Sequence, residues 1–376
     1  MNKPRLTLVM SHYYAGGAER VMSIMANYWA AKGWQIHLYT LTEADKPPFY
    51  PLHPAVIWQG LDLSQPLGNP FLAVFRMYGR LRRLRLAIQQ TSPDAVISFN
   101  DATNVITLMA LRGLSVPVIV GERNDPHYHA MKNPWRLLRP LVYRWATYVV
   151  TQTQHALEYF SKPIRSRTKV IPNPVIRPSE TEEYYGHGNP SLRGKVVLAM
   201  GRLEPQKGFD LLIQAFSKVT SKHPDYTLEI WGEGQERAKL EKMVADMRLE
   251  GRVSLPGVTK APYEKMRQAG LFVLSSRYEG FPNVLCEAMA CGMPVISFNC
   301  HSGPSEIVRD AIDGILVSRG DVNALADAMD RLLSDESERV QLAVRANEIT
   351  ERFGIDKIMN QWTNLITGLS DYSPSI

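Results

Sequence analysis

What most constrains this chain is the rhythm of its apolar residues. Short continuous runs alternate with stretches whose apolar residues recur every three or four positions. Leu6–Met10, Ile36–Leu41, Ala95–Phe99, Val116–Val120 and Tyr148–Thr151 are the runs of the first half. The first is followed by a glycine turn and a pattern in which Ala18, Val21, Met22, Met25, Tyr28 and Trp29 share one helical face. Continuous apolar runs suit strands buried on both faces, and their alternation with helices is the pattern of βα units that build a parallel sheet. From Pro172 to Pro190 the text becomes PNPVIRPSETEEYYGHGNP, without any period. The rhythm then restarts with Val196–Met200, Thr227–Trp231, Val253–Leu255, Leu271–Leu274, Val295–Phe298 and Ile315–Val317.

A chain of 376 residues has room for two cores. We therefore expect an α/β protein with two Rossmann-like domains, residues 1–180 and 195–354, joined by a linker over 181–194. A final helix and tail over 355–376 carries Ile358, Trp362, Leu365, Ile366 and Leu369 on one face and is expected to pack across the domain boundary. Ligands of open α/β sheets bind outside the carboxyl ends of the strands, so two such sheets predict a cleft between the domains.

The net charge of +6 is unevenly spread. The first 190 residues hold 21 Lys and Arg against 12 Asp and Glu, a net +9; the remainder holds 22 against 25, a net −3. A basic half suits an anionic membrane, a phosphorylated substrate or a nucleic acid. The stretch from Asn69-Pro70 to Gln90 reads as a helix, with Phe71, Val74, Phe75, Tyr78, Leu81 and Ile88 on one broad face and Arg76, Arg80 and Arg83 opposite. Arg82 and Arg85 fall nearer its apolar side. A second stretch, Pro134 to Arg139, continues to Tyr143-Arg144-Trp145, with Pro140 kinking it. Basic amphipathic helices bind anionic membrane surfaces, although core-facing helices with solvated arginines give the same pattern. No nucleic-acid-binding module is recognisable, and nucleic acid is the weakest of the three partners. Cys286, Cys291 and Cys300 have neither the number for a disulfide framework nor histidines at zinc spacing, and read as small buried residues in a reducing cytosol. The apolar run near the N-terminus is too short for a signal-peptide core, and no stretch approaches the roughly 20 apolar residues of a membrane span. A cytoplasmic protein, peripheral on the inner face of the cytoplasmic membrane, is expected.

Three segments carry chemistry. Gly16-Gly17 lies between the first run and its helix, where the backbone can approach a phosphate and a helix N-terminus can receive it, although a plain tight turn explains the same residues. Gly201-Arg202-Leu203-Glu204-Pro205-Gln206-Lys207-Gly208-Phe209-Asp210 follows the first run of the second half. Its Arg202 and Lys207 suit a diphosphate, or are loop charges in solvent. After Leu271–Leu274 comes Ser275-Ser276-Arg277-Tyr278-Glu279-Gly280-Phe281-Pro282-Asn283, with Asn283 as the expected helix cap, Glu279 in the loop and Glu287 one turn into the helix. A loop carboxylate of this kind accepts hydrogen bonds from hydroxyls.

Glu279-x7-Glu287 enclosing Gly280-Phe281-Pro282, joined to Gly-Arg-Leu-x-x-x-Lys-Gly-Phe-Asp upstream and Gly-Gly-Ala-Glu-Arg near the N-terminus, resembles the family 4 retaining glycosyltransferases of the GT-B fold. The resemblance covers essentially the whole chain in order. Within that family, the run His301-Ser302-Gly303-Pro304-Ser305-Glu306-Ile307 looks most like bacterial enzymes that extend lipid-linked or lipopolysaccharide sugars. The resemblance implies that Glu279 binds donor-sugar hydroxyls, and that Gly280, Phe281, Pro282 and Asn283 line the sugar and phosphate. Glu287 would hold the ribose, Arg202 and Lys207 would neutralise the diphosphate, and Gly16 and Gly17 would lie against that diphosphate. Pro256, Gly257 and Val258 would line the base. It implies a nucleotide diphosphate sugar as donor, UDP-sugar before GDP-mannose, and a glycan or polyprenyl-diphosphate-linked acceptor. No cofactor or metal is implied, and the sequence has no Asp-x-Asp motif. It departs from the family after Val116–Val120, where many members carry a histidine and this chain has Gly121-Glu122-Arg123-Asn124-Asp125-Pro126. Glu122, Arg123 or Asn124 would then stand on the acceptor side. Retention in the family is commonly explained by a front-face displacement in which the departing phosphate takes the acceptor's proton, so no dedicated base is required. A nucleotide-sugar epimerase of the same fold and a non-catalytic nucleotide-sugar-binding protein are the alternative readings.

Overall fold

The computed structural model describes residues 3–14, 16–42, 48–64, 70–128, 131, 134–178 and 194–371. The chain divides into two compact units, Met1–Pro174 with Asp356–Ile376, and Val175–Ile355. Of the expected linker over 181–194, all but Gly194 lies outside the described residues, as does Asn69 at the start of the expected basic helix.

Among the described residues, the first unit holds seven parallel strands: β1 (Arg5–Met10), β2 (Gln35–Thr40), β3 (Val56–Gly60), β4 (Ala95–Phe99), β5 (Val118–Gly121), β6 (Tyr148–Thr151) and β7 (Thr168–Val170). Their order is β3-β2-β1-β4-β5-β6-β7, so the order reverses between β1 and β4. Connecting helices are α1 (Gly17–Ala31), α2 (Pro70–Thr91), α3 (Asp101–Leu111), α4 (Trp135–Val142), α5 (Gln154–Glu158) and α6 (Lys162–Arg165). The central strands match the apolar runs because both of their faces are covered. β3 and β7 do not stand out as runs: they are the edge strands, and β3 alternates between half-buried and exposed residues.

The second unit repeats the plan with six parallel strands: β8 (Val196–Met200), β9 (Thr227–Trp231), β10 (Val253–Gly257), β11 (Leu271–Leu274), β12 (Val295–Asn299) and β13 (Ile315–Ser318), in the order β10-β9-β8-β11-β12-β13. Its helices are α7 (Phe209–Val219), α8 (Arg237–Asp246), α9 (Pro262–Gln268), α10 (Asn283–Ala290), α11 (Pro304–Ile307), α12 (Val322–Ser334), α13 (Glu336–Ala346) and α14 (Ile349–Arg352). The two-residue period of a strand sorts the core into two layers. Val197, Ala199, Leu271 and Val273 pack with Phe209, Leu212 and Met329 on one side of the sheet. Leu198, Met200, Phe272 and Leu274 pack with Leu285, Met289 and Ile349 on the other. Cys286 and Cys300 are buried free thiols, and burial pushes the Cys300 thiol up to about 12.

The last helix, α15 (Ile355–Thr367), belongs with the first unit from Asp356 onward although it follows the second in sequence. Ile358, Trp362, Ile366 and Leu369 are buried. Trp362 packs on Phe99 at the end of β4, Trp29 Nε1 donates to Thr363 Oγ1 at 3.1 Å, and Tyr28 Oη donates to Asp356 at 3.1 Å. Apolar periodicity placed this helix on a core, and the core it covers is the first unit's.

Candidate active site in the second unit

β8 and β11 are neighbours at the point where the second unit's strand order reverses, the place where open α/β sheets bind ligands. Two loops leave the carboxyl ends of these strands. After β8, Gly201-Arg202-Leu203-Glu204 leads into a short 3-10 turn, Pro205–Lys207, and then Gly208 opens α7. After β11, Ser275 to Pro282 leads into α10.

The two loops are lashed together. Ser275 Oγ donates to Lys207 O at 2.9 Å, Arg277 N to Gln206 O at 2.8 Å, and Gln206 Nε2 to Tyr278 O at 3.0 Å. The Arg277 guanidinium donates to Asp210 at 2.8 and 2.7 Å and to Pro205 O at 2.7 Å. Burial alone would raise the Asp210 carboxyl, but the hydrogen bonds and charge of Arg277 outweigh it and hold the group below its usual range. Gly208 takes a left-handed conformation, φ +61°, and a Cβ there would collide with Ser275 O. The glycine is therefore required twice, by its backbone and by the close approach of the second loop.

This lashing brings Lys207 and Glu279, 72 residues apart in sequence, into contact: Lys207 Nζ donates to Glu279 Oε1 at 2.7 Å. The same oxygen accepts from Ser276 Oγ at 2.6 Å. Glu279 is 5% exposed, so the pair is little screened. Arg202 is exposed, and its guanidinium donates to Glu204 at 2.8 Å. Gly280, Phe281 and Pro282 are buried beside Glu279, and Ser302 Oγ donates to Gly280 O at 3.4 Å. Gly303, at φ +95°, lies so near that a Cβ would stand 2.8 Å from Pro282 Cδ. Pro282, not Asn283, flanks the start of α10; Asn283 is its first residue and Glu287, half-buried, lies one turn on. Gly292, φ +63°, stops the helix, with its N–H donating to Met289 O at 2.9 Å.

At the end of β10, Gly257 is buried while Pro256 and Val258 are exposed. This segment is fixed to the turn after β9: Gly232 N donates to Gly257 O at 2.8 Å, and Arg237 donates to both Leu255 O and Gly232 O. Ser276, Arg277, Asp210, Gln206 and Arg237 are thus site-building residues to which the sequence reading gave no role. Arg277 and Asp210 sit inside the motifs quoted, but their pairing depends on a fold-dependent approach of distant loops.

The residues expected on the acceptor side lie in the first unit. Glu122 is buried, accepts from Tyr143 Oη at 2.5 Å and has Arg139 at 3.7 Å. Arg123 is buried with its guanidinium over the Phe99 ring, and donates to Asn173 at 2.8 Å; burial outweighs the raising effect of Glu122 and lowers it to about 9. Asn124 is half-buried. Gly16 flanks α1, where the carboxylate of Glu19 fills the space a Cβ would take; Gly17 is exposed. The basic helices split along their length. In α2, Leu84 and Ile88 are buried, whereas Val74, Phe75 and Tyr78 are 71%, 75% and 68% exposed. Arg83 donates to Leu61 O, and Arg85 donates to Ala110 O and Arg112 O at the end of α3. In α4, Leu137 and Leu141 are exposed while Arg139 turns inward to Glu122 and Tyr159. No described helix is long and apolar enough to cross a membrane.

Comparison with known proteins agrees with this architecture. Residues 15–176 match Glycosyltransferase Family 4 and residues 182–349 match Glycosyl transferases group 1. A glycosyltransferase of Methanocaldococcus jannaschii is 30% identical over 352 residues, covering 80% of this chain and 86% of the relative. The chain therefore belongs to the family 4, group 1 glycosyltransferases. Another relative, from Campylobacter jejuni, is 27% identical over 367 residues, covering 96% of this chain and 98% of its own. Its name is GalNAc-alpha-(1->4)-GalNAc-alpha-(1->3)-diNAcBac-PP-undecaprenol alpha-1,4-N-acetyl-D-galactosaminyltransferase. Among solved structures, sucrose-phosphate synthase from Thermosynechococcus elongatus aligns with a TM-score of 0.82 at 20% identity, over 99% of this chain and 100% of that one. HepE from Anabaena, in complex with UDP and glucose, aligns with a TM-score of 0.79 at 22% identity, over 97% and 100%. The fold is GT-B.

Proposed function

We propose that the protein is a retaining glycosyltransferase that moves a sugar from a UDP-sugar to a lipid-linked or cell-surface glycan. The observation that carries this reading is the Lys207–Glu279 pair at the β8/β11 reversal, a cation and a buried carboxylate sharing one hydrogen-bonded cluster with Ser276. In transfer, the bond from the sugar's anomeric carbon to the diphosphate breaks, its electron pair leaves on the phosphate oxygen, and the acceptor oxygen bonds to that carbon from the same face. Lys207 and Arg202 meet the charge that develops on the diphosphate, a fixed electrostatic environment that costs no reorganisation during reaction. Glu279 accepts hydrogen bonds from the sugar hydroxyls, Glu287 holds the ribose, and Pro256, Gly257 and Val258 flank the base.

The UDP assignment is supported by HepE, solved with UDP and glucose, and the acceptor class by the Campylobacter relative named for an undecaprenol-diphosphate glycan. An acceptor of that kind sits in a membrane. The exposed Val74, Phe75 and Tyr78 of α2 and Leu137 and Leu141 of α4, with Arg76, Arg82 and Arg136 beside them in sequence, form the surface by which the protein would rest on anionic lipid, since both helices pack against α3. Calorimetry with a panel of nucleotide sugars tests the reading. A UDP-sugar should bind best and Lys207→Ala should weaken it at least tenfold; a protein that binds no nucleotide sugar refutes it.

A further inference from the structure

Arg123 carries a buried charge that its neighbours do not balance. It stands two residues beyond β5, at the carboxyl edge where open α/β sheets meet their ligands, and is 9% exposed. Its Nη1 donates to Asn173 at 2.8 Å, while Nε and Nη2 are sealed from solvent and donate to no acceptor. Those two atoms form one edge of the planar guanidinium, the fork with which arginine takes two oxygens of one anion side on. The group is held in place. Its Cζ lies 3.3 Å from the centre of the Phe99 ring and 5.8 Å from that of Trp362, and a Cβ on Gly121 would stand 3.1 Å from Nη2. All of these residues belong to the first unit.

A charge taken out of water is costly unless it is paired. The carboxylates next to Arg123 in sequence are engaged elsewhere. Glu122 accepts from Tyr143 Oη and has the buried Arg139 at 3.7 Å, so that two buried cations share one anion. Asp125, also buried, accepts from the His127 backbone N–H at 2.9 Å and lies 3.0 Å from its Nδ1. Burial lowers Arg123 to about 9 against the raising effect of Glu122, which still leaves it charged at neutral pH. Trp362 Nε1, on the ring beside the guanidinium, is a third buried donor without an acceptor.

We propose that the Nε–Nη2 edge of Arg123 is a binding site for a phosphate group, two of whose oxygens complete the fork. Such an anion supplies both the acceptors and the charge that the protein leaves unmatched there. The site stands on the first unit alone. Only the source of the phosphate, an acceptor's diphosphate or the free ion, rests on the transferase reading above.

Thermal unfolding of the full chain in rising inorganic phosphate, with UDP at saturation and ionic strength held by chloride, tests the site. Wild type should gain Tm with phosphate beyond the chloride control. Arg123→Lys keeps the charge but has no fork, and should bind phosphate about tenfold or more weakly. A wild type without a phosphate-specific shift overturns the proposal whether or not the variant folds, and so does an equal shift in both proteins. Transfer assays read the source. A KM for a polyprenyl-diphosphate-linked glycan that rises about tenfold in Arg123→Lys, with no rise for the same glycan lacking its diphosphate, assigns the phosphate to the acceptor. Both KM values unchanged, with the phosphate shift lost, assign the site to the free ion. A wild-type protein that binds phosphate yet transfers nothing overturns the transferase reading and leaves the site standing.

Discussion

Separating Lys207 from Glu279 is the perturbation that the site's geometry prices most directly. At 2.7 Å, two unit charges attract by about 6 kcal/mol at an effective dielectric constant of 20. The side chains are 15% and 7% exposed, so solvent screens little of this, while desolvation of both groups offsets much of it. Truncating one partner strands the other and costs about 3–5 kcal/mol. Glu279→Ala and Lys207→Ala should therefore each lower Tm by about 6 °C or more, at roughly 2–4 °C per kcal/mol for a unit of this size. The double variant should lose little more than either single, so the coupling in a double-mutant cycle followed by urea unfolding should approach one single loss, about 3–5 kcal/mol. UDP separates the two roles. Glu279→Ala keeps Lys207, the cation proposed to meet the diphosphate, and should be stabilised by UDP at least as much as wild type, whereas Lys207→Ala should lose most of that protection. Additive single losses would show that the pair is not coupled, and equal UDP protection in both variants that Lys207 does not meet the diphosphate.

The same structure sets three further expected outcomes. Gly208→Ala forces a side chain into a left-handed backbone position and against Ser275 O, and should cost at least about 1 kcal/mol of stability and weaken UDP binding, both read from thermal shifts. Asp210 is held below its usual carboxyl range by Arg277, so its contribution is present in full above the unfolded value and fades as pH falls through the lowered one; Asp210→Asn should remove that part of the wild-type loss of Tm on acidification below about pH 4. Phe75→Glu with Tyr78→Glu should abolish sedimentation with vesicles of anionic lipid while leaving UDP affinity unchanged, and undiminished sedimentation would remove α2 from the membrane surface.

The architecture was legible because a strand buried on both faces must be apolar throughout. Ala95–Phe99, Thr227–Trp231 and Leu271–Leu274 are strands over the bounds their sequence implies. Val56–Gly60 was not legible, because an edge strand can carry exposed residues and so lacks that signature. The motifs located the loops bearing Arg202, Lys207 and Glu279, yet the salt bridge between Lys207 and Glu279 depends on how β8 and β11 align in the sheet. Side-chain direction was the least legible property. Arg139 reads as one of several helix arginines on a basic stretch, but the turn of α4 points it to the buried Glu122; Phe75 sits on an apolar face that suits a core as well as a membrane, and α2 leaves it in solvent.

The β8/β11 reversal of the second unit is proposed to hold a nucleotide-sugar donor for retaining transfer. NMR of the product formed from a UDP-sugar and a polyprenyl-diphosphate-linked glycan tests it most directly. Wild type should form a new linkage with the donor's anomeric configuration, and Glu279→Ala should lose it. An inverted linkage, or undiminished product from Glu279→Ala, would contradict it.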